Sequence, residues 1–96
     1  MSRVTEDEVA RAVEAILKSR ASGQATIQEL VAEIPKHLRL SEEDMKQSET
    51  RPNEAVWEQQ VRNITSHKNS PGNAIYEGRL AAIPGGLALP TSLSKL

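Results

Sequence analysis

Along the first fifty residues the apolar positions recur at helical spacing. Val9, Ala12, Val13, Ile16 and Leu17 share one face at about 3.6 residues per turn, which predicts a helix over residues 5–20. Thr5 and Glu8 open it as a capping box, and Gly23, in the stretch Ala21-Ser22-Gly23-Gln24, is a natural left-handed stop. Thr26 and Glu29 form a second box. The short helix it opens turns Ile27, Leu30, Val31 and Ile34 inward and closes at Pro35, while Ala25-Thr26-Ile27 is placed to add one edge strand. Ser41-Glu42-Glu43-Asp44 starts a third helix that soon turns polar. Residues 46–53 lack apolar periodicity and read as an exposed loop, in which Arg51-Pro52 imposes an extended step.

The longest amphipathic stretch follows. Trp57, Val61 and Ile64 fall at i, i+4 and i+7, predicting a helix over about 53–67 whose opposite face carries Ala55, Gln59, Arg62 and Ser66, flanked by Glu58 and Asn63. Asn69-Ser70-Pro71-Gly72-Asn73 ends it, and Ala74-Ile75-Tyr76 packs as a turn or a brief strand. Residues 80–83 and 87–89 read as two hairpin strands, with Gly85-Gly86 supplying the freedom of a tight turn. The expected organisation is one domain over residues 1–90 and a loosely ordered tail over 91–96. Helix, helix, short helix, long helix and hairpin is the order of a winged helix-turn-helix, a mainly α fold with a small β-hairpin that usually lays one helix in a DNA groove.

Composition narrows the class without naming a reaction. Ninety-six residues build one small core, and with Trp57 and Tyr76 the only aromatics that core rests on Leu, Ile, Val and Ala. There is no cysteine, hence no disulfide and no thiolate metal site. No run approaches the roughly 18 apolar residues of a membrane span, and the amino terminus lacks a signal-peptide pattern, so a cytoplasmic protein without a membrane partner is expected. Net charge is −1 but uneven: residues 1–50 carry seven Lys/Arg against ten Asp/Glu, and residues 51–96 five against three. The half holding the long helix and hairpin is the basic one, which suits a salt-sensitive DNA binder of modest affinity.

The segments TIQELVAEI, LRLSEEDM, WEQQVRNITSHK and GRLAAIPGGLAL together resemble the amino-terminal winged-helix domain of bacterial Mrr-type and HNH-type restriction endonucleases. The likeness spans residues 20–90 and is most specific over VRNITSHKNSPGNAIYEGRL. It implies a DNA-reading module that serves a nuclease domain, in some systems one attacking modified bases. The chain is then expected to be either an excised domain of a longer enzyme or a small protein acting alone. It departs from the family pattern at the hairpin tip, where Pro84-Gly85-Gly86 stands in place of basic or polar residues.

Candidate contacts follow from side-chain chemistry. Gln59, Arg62, Asn63 and Ser66 are aimed at base edges, since Arg pairs with guanine and Asn or Gln with adenine through two hydrogen bonds. Against this stands a solvated helix face with an ordinary Glu58–Arg62 pair. Arg51, Lys68 and Arg79 sit at element ends, where phosphate contacts commonly arise, or serve plain solubility. His67 suits the carboxyl end of the helix dipole and is also a candidate phosphate contact. Trp57 is expected as a core anchor, and Tyr76 as a packed ring with a satisfied hydroxyl. His37 and His67 alone make neither a metal site nor a dyad, and Pro84-Gly85-Gly86 lacks the lysine and helix start of a phosphate loop. No catalytic residue, metal or cofactor is therefore expected. The leading expectation is a non-enzymatic module that binds double-stranded DNA, modified DNA included, through the 53–67 helix. The alternative is a winged-helix unit for protein interaction or dimerisation, favoured by the acidic first half and the apolar hairpin.

Overall fold

The computed structural model describes residues 4–47 and 54–93. Helix α1 (Glu6–Lys18) is followed by strand β1 (Gln24–Thr26), helix α2 (Ile27–Glu33), a 3₁₀ turn (Ile34–Lys36) and the short helix α3 (Glu42–Met45). Helix α4 (Val56–Ser66), the hairpin β2 (Ala81–Ile83) and β3 (Gly86–Ala88), and one helical turn, α5 (Pro90–Leu93), complete it. The molecule is mainly helical, with one antiparallel sheet of strand order β1-β3-β2.

The helix starts are local chemistry. Thr5, Thr26 and Ser41 each accept from the backbone N–H three residues on, and Glu8, Glu29 and Asp44 reach back to the cap, so the two expected boxes form and the expected helix start at Ser41 makes a third. Helix α2 stops at Glu33 because Pro35 cannot continue the i→i−4 ladder, and the chain tightens into the 3₁₀ turn instead of stopping outright. Helix α4 is shorter than the expected 53–67: Ala55 is its cap, with Glu58 folding back onto the Ala55 N–H, and His67 ends it. Residues 48–53 of the expected loop, Arg51 among them, lie outside the described residues.

One core joins all the elements. Val9, Val13, Ile16 and Leu17 of α1 meet Leu30 and Ile34, the α4 stripe Trp57, Val61 and Ile64, and Leu80 and Leu87 of the hairpin region. Trp57 is 4 % exposed and anchors that core as expected. Residues 74–78 form the turn, one of the two expected outcomes, with Ala74 buried at its start; Tyr76 does not pack and is 54 % exposed.

β3 is the middle strand and its three residues are all buried. β1 pairs with it from Gln24 opposite Ala88 to Thr26 opposite Gly86, so the expected edge strand exists but ends at Thr26, where α2 begins. The two hairpin glycines have different tasks. Gly85 takes φ +71° after Pro84, the type II combination of a proline followed by a left-handed residue. Gly86 is needed for space: a Cβ there would lie 2.1 Å from the Ala25 carbonyl oxygen. Beside it the Ile27 N–H donates to the Gly85 carbonyl at 2.9 Å, tying the hairpin tip to the start of α2. The tail expected over 91–96 begins inside α5, where Ser92 Oγ donates to the Leu89 carbonyl; residues 94–96 lie outside the described residues.

Two buried polar side chains hold the helices in place. Asp44 is 1 % exposed and accepts from Val4 N, Ser41 N and Ser41 Oγ at 2.9, 2.9 and 3.0 Å. It fastens the segment before α1 to α3, and Gln60 of α4 donates to the carbonyl of the same Val4. Asn73 is 5 % exposed; its Nδ2 donates to the Ile64 carbonyl at the end of α4 and to Glu6 of α1, both at 2.9 Å. Its Oδ1 accepts from the N–H groups of Ile75 and Tyr76, forming the turn that leads to the hairpin.

Two substitutions test these fixtures by urea denaturation. Asp44→Ala orphans buried donors and is expected to cost about 2 kcal/mol or more. Gly86→Ala forces β1 and β3 apart and is expected to cost about 1–3 kcal/mol. A variant within about 0.5 kcal/mol of the parent would show that its site relaxes freely.

Candidate nucleic-acid interface

Helix α4 buries Trp57, Val61 and Ile64 and leaves its other side to solvent, where Arg62 and Ser66 are exposed and Gln59 half-buried. Its flanks face different neighbours. On one flank Arg62, Thr65 and Ser66 line a depression with Ile27 of α2 and with Ile83, Gly85 and Gly86 of the hairpin. A second depression, lined by Ile27, Gln28, Val31, Glu54, Glu58 and Arg62, continues it along α2. Arg62 and Ile27 belong to both, so the two form one surface running from the hairpin tip to the loop before α4. On the other flank Asn63 Nδ2 donates to Gln60, whose own amide donates to Val4. Asn63 is thus directed toward the segment before α1, away from Arg62.

The Arg62 guanidinium is clamped by Glu54. Nε donates to Oε1 and Oε2 at 3.1 and 2.8 Å, and Nη2 donates to Oε2 at 2.5 Å. These hydrogen bonds, more than the charges of Glu54 and Glu58, raise the arginine's pKa above its ordinary value and keep it a cation throughout. The expected Glu58–Arg62 pair is not the one made, because Glu58 is occupied by the Ala55 N–H. Residues i and i+4 on a helix invite that pairing in sequence; Glu54 precedes the helix, and periodicity gives no sign of its reach. Sequence reasoning also misses Thr65 and Gln28: Thr65 lies beside the buried Ile64 and Gln28 on a different helix, and only the fold brings them to the surface that Arg62 lines.

The remaining candidates gather at the carboxyl end of α4. His67 caps the helix with Nδ1 2.6 Å from Glu6 Oε1, and Lys68 is exposed beside it. With Thr5, Asp7 and residues 70–73, His67 and Glu6 line a polar cleft. Arg79 spans two carboxylates of α1, with Nη2 to Asp7 and Nη1 to Glu14, both at 2.6 Å. It staples the approach to the hairpin onto α1 and does not join Arg62. Asp7 also receives Nε of Arg11 at 2.8 Å, and the Arg11 hydrogen bond, followed by that of Arg79, holds its carboxyl below the usual range. His37 lines a separate shallow depression with Glu8, Arg11 and Leu38. Among the described residues no group of three or more His, Cys, Asp or Glu is placed to hold a metal ion, and no helix is long and apolar enough to cross a membrane. No family model, curated protein or solved structure matches the chain.

The pairing of Asp7 with Arg11 and Arg79 sets an acid response. A depressed carboxyl contributes stability that is fully present above its unfolded value, near pH 4, and is lost as pH falls through the folded value. Asp7→Asn should therefore flatten the acid limb of a stability–pH profile below about pH 4. Asp7 is 45 % exposed, so water screens the pair and the loss at neutral pH should stay under about 1 kcal/mol. Arg79→Ala, which unpairs Glu14 as well, should cost more than Asp7→Asn at pH 7; an equal or smaller cost would show that the Glu14 contact contributes nothing.

Proposed function

We propose that this chain is a winged-helix module that binds double-stranded DNA, with α4 as the recognition helix and the β2–β3 hairpin as its wing. The observation that carries the reading is the continuous surface formed by the exposed side of α4, the start of α2 and the hairpin tip, with Arg62 at its centre. A sheet of order β1-β3-β2 behind three helices supports it, because that arrangement presents a helix and a hairpin side by side. In this reading Gln59, Arg62, Thr65 and Ser66 approach base edges in the major groove. Lys68 reaches phosphate. Arg79 and His67 position α1 against α4 and the turn after it. The resemblance to the amino-terminal domains of Mrr-type and HNH-type restriction endonucleases makes the target-reading step of a restriction or defence system the fitting setting, with modified bases among its candidate targets. In that setting the chain is not itself an enzyme; cutting belongs to a nuclease domain or partner.

A second reading, a protein-interaction unit, draws on one feature: three arginines at the surface of the described residues are already neutralised by neighbouring carboxylates, Arg11 by Asp7, Arg20 by Glu29 and Arg62 by Glu54. Such a surface has little excess charge to offer a polyanion.

Fluorescence anisotropy with a short random-sequence duplex at 50 and 200 mM salt separates the two. Saturable binding that weakens about ten-fold or more across that range, as two or three phosphate contacts require, is the expected result. Lys68→Ala should weaken binding uniformly across sequences and lower the salt slope by about one. No binding at 50 mM by folded protein would overturn the DNA reading and favour the protein-interaction one.

A further inference from the structure

The Glu54 clamp leaves Arg62 with one edge committed and one edge on offer. A guanidinium has five N–H donors in a plane. Glu54 takes the edge formed by Nε and Nη2, at 2.8 and 2.5 Å, and so fixes the plane and direction of the group. The edge made by Nη1 and the second hydrogen of Nη2 is turned away from that carboxylate. It is two parallel donors wide, which is the spacing of guanine O6 and N7 in the major groove and of no other base's edge. The Glu54 side chain is 18 % exposed and that of Arg62 42 %, so the support is sunk into the surface while the arginine stands out of it. Glu58, the other carboxylate on this flank, is held on the Ala55 N–H and does not compete for the guanidinium.

Resting on the DNA reading above, we propose that Arg62 is the specificity-determining residue for a guanine and that Glu54 is its positioning residue, holding the fork ready for O6 and N7. The same pairing cancels most of the arginine's charge, so that Arg62 contributes to discrimination between bases more than to attraction for phosphate. Removing Glu54 should then have two opposite effects. The arginine becomes a mobile, unpaired cation that adheres to any duplex, and its preference for guanine falls. A merely structural Glu54 would lower binding to every duplex alike.

The test compares two duplexes of equal length in anisotropy at one salt concentration. One is an alternating G·C sequence, which presents a guanine at every base pair; the other replaces each guanine by 7-deazaguanine, which keeps base pairing and backbone but lacks the N7 acceptor. The parent protein should bind the first about five-fold or more tightly than the second. Glu54→Ala and Glu54→Gln, checked for native circular dichroism, should bind the deaza duplex as well as the parent or better, with the ratio between duplexes falling below about two-fold. Arg62→Lys, which keeps the charge and lacks the fork, should also lose the ratio. Parent protein that binds both duplexes equally overturns the guanine assignment and leaves the DNA reading standing. A full ratio retained in both Glu54 variants overturns the positioning role. Failure to bind either duplex overturns the inference together with the reading on which it rests.

Discussion

The backbones of β1 and β3 meet at Gly86 so closely that no side chain fits between them, and the arrangement of the candidate interface depends on that approach. With Gly86 opposite Thr26, the neighbouring Gly85 carbonyl comes within 2.9 Å of the Ile27 N–H, the first residue of α2. A backbone donor left over at a helix start is thereby satisfied by the hairpin turn. The consequence is positional. The hairpin tip cannot swing as a free flap but is fixed beside α2, and the flank of α4 carrying Arg62, Thr65 and Ser66 forms one wall of the surface between them. Were β3 to carry a side chain at that point, the sheet would separate first where the hairpin and α2 converge.

Hydrophobic burial supplies the attraction that packs α4 against α1, yet it does not say how far α4 should slide along its axis. The buried polar groups do. Asn73 takes the Ile64 carbonyl at one end of α4 and Glu6 on α1, while at the other end the Val56 N–H bonds Lys46 and α3 is locked to the segment before α1 by Asp44. Each of these groups is costly to bury unless every bond is made, so a displaced α4 would forfeit several at once. Leu, Ile and Val contacts tolerate small shifts; hydrogen bonds of 2.9 Å do not. The same logic explains why Arg79 stays with α1. Two carboxylates at 2.6 Å hold it between Asp7 and Glu14 more firmly than surface water would.

The sequence carried the elements well where they arise from local rules. Capping boxes at Thr5 and Thr26, the helix start at Ser41, the α4 stripe and the break at Pro71-Gly72 involve partners within a few residues, and each is present. What it concealed are contacts made across the chain. Asp44 reads as one more acid at a helix start, and its bond to Val4, forty residues away, has no periodic trace. Gly86 reads as turn freedom because glycine in a hairpin usually means that, whereas here its missing Cβ serves a strand from the other end of the chain. Tyr76 was expected to pack because aromatic rings usually do, and the Asn73 turn presents it to solvent instead. The candidate residues were legible as types, but their grouping was not. Arg62 belongs with Glu54 and the hairpin, Asn63 with Gln60 and Val4, and His67 with Glu6, although the three lie within six positions of one another.

That grouping bears on how a protein of net charge −1 and isoelectric point near 6.1 could serve a polyanion. Nonspecific affinity grows with the number of phosphates neutralised, and a surface rich in unpaired lysine would adhere to any duplex. Pairing Arg11, Arg20 and Arg62 with carboxylates suppresses that background without removing the donors that read a base edge. An arginine on a carboxylate support also loses less freedom when it meets a base, because its plane is already set. A low background and a fixed donor pair both raise the ratio of specific to nonspecific binding, the quantity that matters when one target competes with a whole genome. For a module proposed to direct a nuclease, weak binding everywhere else is as much a part of the task as binding at the target. The carboxylates that argue against a strong DNA binder are, on this view, what would make a discriminating one.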